Sequence, residues 1–103
     1  MNDYTTVYII SYKNNGLWPP VMDLAKKRFK KQGFKTKDVE GYNLKNHPKI
    51  KRNHVVYLNL VDKVLPQIKK QNIQDGFLLA EDDAYVSDII TPNFLKERIK
   101  AKN

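Results

Sequence analysis

The sequence contains no cysteine. That excludes a disulfide framework and any thiolate metal centre, and it agrees with a reducing compartment. Its two histidines, His47 and His54, do not form a zinc-ligand pattern. No Ser/His/Asp set can be assembled, so nucleophilic catalysis finds no support. Glycine is scarce, with four in the chain, and none makes a phosphate-cradling loop; Asn14-Asn15-Gly16 reads as a turn. Long apolar runs are missing too. No stretch approaches the roughly 20 residues that a bilayer helix needs. Met1-Asn2-Asp3-Tyr4 lacks the basic-then-apolar order of a secretory leader. A soluble, cytoplasmic single domain over residues 1–103 is expected, long enough to bury a core without staples.

Acidic residues are sparse in the first half. Residues 1–57 carry twelve Lys/Arg against four Asp/Glu, whereas residues 58–103 carry seven of each. The whole excess of +8 therefore sits in the first half. Lys26, Lys27, Arg28, Lys30, Lys31, Lys35 and Lys37 cluster there. Such a half suits an anionic partner, such as a nucleotide, a nucleic acid or an acidic surface, and it also serves solubility.

The apolar pattern gives the order β-α-β-α-β-α. Thr6 to Tyr12 is β-branched and aromatic and reads as a buried strand. Pro19 and Pro20 suit a helix start. Val21, Leu24, Ala25 and Phe29 give that helix an apolar face, and Gly33 stops it. Phe34 to Tyr42 reads as a weaker second strand, and Lys45 to Arg52 as loop. From His54 a second helix is expected, with Tyr57, Leu58, Val61, Val64, Leu65 and Ile68 inward and Pro66 kinking or shortening it. Asp75-Gly76 reads as a turn and Phe77 to Ala80 as the third strand. Thr91 and Pro92 open a last helix as N-cap and first helical residue. This alternation predicts a small three-layer, Rossmann-like α/β domain with a mainly parallel sheet. Residues 6–12 and 77–80, the two most apolar strands, are expected as central neighbours.

The third strand runs straight into Glu81-Asp82-Asp83. Three adjacent carboxylates repel one another, so stability does not account for them. Carboxylate oxygens suit hard divalent cations, and the carboxyl ends of strands are where open α/β sheets bind ligands. Residues two apart on an extended strand share a side, so Glu81 and Asp83 can converge while Asp82 faces away. A solvated acidic turn is the plain alternative.

Glu81-Asp82-Asp83-Ala84-Tyr85 after Phe77-Leu78-Leu79-Ala80 resembles the "LEDD" segment of the family 25 glycosyltransferases, the lipooligosaccharide and collagen galactosyltransferase-like enzymes. Val7 to Tyr12 is similar to their first strand, Val39-Glu40-Gly41 to the "v-D-G" step after their second, and Asn53-His54 sits where they carry "LSH". The resemblance implies a GT-A-like nucleotide-sugar-binding fold. It implies Mn2+ or Mg2+ on Asp83, Glu81 at the ribose or a metal-bound water, and Ser11 and Tyr12 beside the base of a UDP-type nucleotide sugar. The family's arginine after the first strand has no counterpart in Lys13 to Trp18, and Asn53 replaces the serine. The matched segments cover a donor half only, so little or no transferase activity is expected from this chain alone, unless a homo-oligomer supplies a missing wall. A non-catalytic structural or interaction remnant and a basic nucleic-acid binder are the alternatives. Trp18, Tyr12 and Tyr42 are candidates to stack on a base. His54 reads as a partly buried histidine at a helix start.

Overall fold

A computed structural model of the chain describes residues 2–11, 19–42, 46–51, 54–73, 76–81 and 84–101. Three strands, β1 (Asn2–Ser11), β2 (Lys35–Glu40) and β3 (Gly76–Glu81), form one sheet in the order β2-β1-β3. Both pairings are parallel: Thr6–Ser11 runs beside Lys35–Glu40, and Val7–Ile10 beside Leu78–Glu81. Helix α1 (Pro19–Lys31) connects β1 to β2. The β2–β3 connection is helical in three parts: α2 (Val55–Asn59), a π-helical segment (Leu60–Val64) and α3 (Leu65–Lys70). Helix α4 (Pro92–Ala101) follows β3. The small α/β domain with a mainly parallel sheet read from the alternation is observed, and all of its pairings are parallel.

The pleat divides the core. Val7 and Ile9 face Met22, Phe29, Phe34 and Val86, with Leu95 of α4 packed against them. Tyr8, Ile10 and Val39 face Val64, Ile68 and Ile73. From β1 the chain crosses one way to β2, then back past β1 to β3. Two crossovers of the same hand running in opposite directions put their helices on opposite faces. Strand β1 is buried on both faces, which explains its unbroken apolar run.

Several details differ from the sequence expectations. Strand β1 starts four residues earlier than read and ends at Ser11; Tyr12 lies outside the described residues. Strand β2 is trimmed to Lys35–Glu40, because Phe34 belongs to the helix cap before it. Strand β3 takes in Gly76, beyond the turn that Asp75-Gly76 suggests, and runs to Glu81. It neighbours β1 as expected, but it lies at an edge of the sheet, and Leu79 is 37 % exposed.

On α1 the buried row is Met22, Ala25 and Phe29, while Leu24 is 67 % exposed. Both rows satisfy a 3.6-residue period. The packed one is the row that meets Val7, Ile9 and Phe34 in the core, and the ion pair from Lys26 to Asp38 of β2 at 2.9 Å and the turn at the helix end accompany it. That turn is a Schellman motif. Phe34 N–H donates to the Phe29 carbonyl and Gly33 N–H to the Lys30 carbonyl, both at 3.0 Å. Gly33 takes φ +98, and the Phe29 and Phe34 rings meet edge to face at 5.9 Å.

The second helical layer corrects its predicted face. Val55, Asn59, Val64 and Ile68 are buried, whereas Tyr57, Val61 and Leu65 are exposed. The buried spacing is four, five, four. The five-residue step is a π turn, in which Leu65 N–H donates to the Leu60 carbonyl. Pro66 has no N–H to donate to the carbonyl of Asp62 and its ring needs room there. The wider turn supplies that room, so the helical path continues past Pro66 to Lys70. The path ends in a second Schellman turn with Asn72 at φ 58, closed by Ile73 N–H to the Ile68 carbonyl.

Thr91 caps α4 as read, its hydroxyl oxygen accepting the Phe94 N–H at 3.1 Å. Thr91→Ala is expected to cost about 1 kcal/mol of stability, read by denaturant unfolding.

Candidate functional site

The carboxyl edge of the sheet gathers the three strand ends. Ser11 ends β1, in register with Glu40 of β2, and Ile10 lies opposite Glu81 of β3. With the order β2-β1-β3, the chain reverses direction between β1 and β3. This is a topological switch point, and crevices at such points are where open parallel sheets take ligands. Glu81 is exposed there, whereas Ser11 is 2 % exposed and its carbonyl accepts the Gly41 N–H at 2.9 Å.

The two acids that end β2 and β3 do not converge. Residues paired in register share a face. Glu40 pairs with Ser11 on the α1 side, and Glu81 pairs with Ile10 on the side of the π turn. Asp82 and Asp83, like Tyr12 and Trp18, lie outside the described residues. Among the described residues no three His, Cys, Asp or Glu side chains group closely enough to hold an ion. Glu81 contributes one exposed carboxylate oxygen donor of the type hard cations take.

Asn59 was missed by the apolar pattern, and it organises the neighbouring strand end. It is fully buried, and its Oδ1 accepts the Tyr42 N–H at 2.8 Å. Gly41 explains why that step needs glycine: a Cβ there would sit 2.9 Å from Asn59 Nδ2 and 3.0 Å from Ile10 Cγ2. The available signal was one amide inside the apolar run Val55-Val56-Tyr57-Leu58-Asn59-Leu60. Buried amides must be hydrogen-bonded, so such a residue marks a backbone to be held.

Tyr42 belongs to a surface cluster. Its hydroxyl donates to Asp62 Oδ2 at 2.6 Å, Lys63 lies 4.5 Å from the ring centroid, and His47 packs edge-on at 5.0 Å. The hydrogen bond to Asp62 raises the phenol's pKa above its ordinary value, with desolvation and the carboxylate's charge adding to it. Asp62→Asn is therefore expected to let Tyr42 ionise at lower pH, seen as an earlier tyrosinate absorbance. His54 is exposed just before α2 and caps nothing with its side chain, a correction to the partly buried placement. Asn53 lies outside the described residues.

Arg28, read only as one of the basic cluster, has partners of its own. Its Nε donates to the Val86 carbonyl at 2.9 Å, its Nη2 donates to Asp88, and its guanidinium lies 4.4 Å from the Tyr85 ring centroid. Gln32 Nε2 donates to the Ile90 carbonyl at 3.2 Å. The segment that follows the acidic stretch is thereby strapped to α1.

No protein-family model, curated protein or solved structure matches this chain. Among the described residues no helix is long and apolar enough to cross a membrane.

Proposed function

We propose that this chain is a nucleotide-sugar-binding domain of the glycosyltransferase type, taking a UDP-type donor through a divalent cation at the end of β3. One observation supports the reading: β3 ends at an exposed Glu81 at the switch point of an all-parallel sheet, and Asp82-Asp83 follow it in sequence. Glu81 and Asp83 would hold Mn2+ or Mg2+, with Asp82 turned away. When bound, such a cation would supply positive charge that stabilises the leaving diphosphate. Ser11 and Tyr12 would lie beside the nucleotide. The resemblance of the strand and acidic segments to the family 25 glycosyltransferases supports the same chemistry.

Donor binding and sugar transfer are separable. Transfer needs the acceptor held in reactive geometry, which is worth roughly 7–11 kcal/mol of barrier. The segments that carry the resemblance all belong to donor binding. We therefore expect slow turnover or none from this chain alone. UDP release from UDP-sugars with Mn2+, followed across a protein dilution series, tests this. Slow or absent release fits, as does release that falls with dilution because a second copy completes the site. Brisk, dilution-independent turnover contradicts it.

A further inference from the structure

Beside α1 lies a groove of about 440 Å³, lined by Val21, Leu24, Ala25, Ala84 and Tyr85, with Lys27, Arg28 and Lys31 around it. That volume falls in the small-molecule range of about 300–1,000 Å³. Its wall is built, not incidental. Tyr85 is 78 % exposed and sits in a stretch without regular secondary structure. Arg28 nonetheless fixes that stretch through the Val86 carbonyl, Asp88 and the Tyr85 ring, and buried Val86 anchors it in the core. The effect is to hold an exposed tyrosine opposite an exposed leucine.

The groove's lining carries three cations and no carboxylate. Arg28 is matched by Asp88. Lys27 and Lys31, one helical turn apart, form no ion pair among the described residues. An apolar floor rimmed by two ammonium groups, with no carboxylate in its lining, is complementary to a molecule with an apolar body and one anionic head. We propose that this groove is a binding site for a small anionic amphiphile, a carboxylate on an alkyl or aryl body. The apolar part lies along Val21, Leu24 and Tyr85, and the carboxylate meets Lys27 and Lys31. The groove's lining includes neither Ser11 nor Glu81, although Ala84 directly follows the acidic stretch in sequence.

Decanoate, kept below its micelle concentration, is the probe. Calorimetry and amide-shift mapping should show saturable one-to-one binding, with shifts concentrated in residues 21–31 and 84–86. Decan-1-ol should bind more weakly. The double reversal K27E/K31E should weaken decanoate roughly tenfold. The pair K69E/K70E makes the same change of net charge on exposed positions of α3 and should leave affinity within about twofold. Leu24→Asp should abolish binding without unfolding, because Leu24 is outside the core. Absence of saturable binding overturns the proposal, and so does equal weakening by the two reversal pairs. Retention on anionic vesicles or on DNA, with no decanoate binding, would assign the face to a bilayer or a nucleic acid instead.

Discussion

Asn59→Ala is expected to destabilise the protein by about 2–3 kcal/mol, lowering Tm by roughly 10–20 °C in a domain of this size. The amide is fully buried and is the acceptor for the Tyr42 N–H. Truncation leaves that donor without its partner and opens a void beside Gly41 and Ile10. Gly41→Ala alone should cost about 1–3 kcal/mol by overpacking, because its new Cβ would press on Asn59 and Ile10. The double variant should lose less than the two single losses together, since the void accepts the methyl. Faster hydrogen exchange at the Tyr42 amide would locate the effect. A loss for Asn59→Ala under about 0.5 kcal/mol would show that the amide does not hold this strand end.

Asp83→Ala and Glu81→Ala are expected to weaken Mn2+ binding by at least about a hundredfold, since direct ligands should matter at least as much as the groups that orient them. Free Mn2+ measured by its paramagnetic signal reads this directly. Neither change should unfold the chain. Removing one of three adjacent carboxylates relieves repulsion, so Asp83→Ala should melt at the same temperature or slightly higher. Unfolding by Asp83→Ala would make the carboxylate structural and end the metal reading.

The alternation of apolar runs and amphipathic stretches was enough to read the parallel sheet, because β1 must be apolar on both faces to lie between two helical layers. Caps were legible for the same local reason: Gly33 and Thr91 satisfy backbone groups within a few residues. What escaped the pattern depends on distant partners. Leu24 and Met22 are equivalent by period, and Met22 is the one that joins the core with Val7, Ile9, Phe29 and Phe34. The π turn shifts the buried row of the second helical layer by one residue, which a fixed 3.6 period cannot express. Arg28 is unremarkable among lysines in sequence, and its role exists only because residues 85–88 return to it. At the site, Glu81 stands exposed at the strand end where the acidic run placed it, whereas Asn59 declared itself only through the backbone it holds.

Calorimetric titration of UDP into the protein with and without Mn2+ tests the central claim most directly. A cation bridging a diphosphate to carboxylates makes the two ligands bind together, and linkage requires each to tighten the other by the same factor. UDP should bind with one-to-one stoichiometry in Mn2+, at least about tenfold more tightly than without it, and that gain should vanish in Asp83→Ala. Absence of UDP binding in Mn2+, or the same affinity with and without the ion, would contradict a metal-assisted nucleotide site at the end of β3.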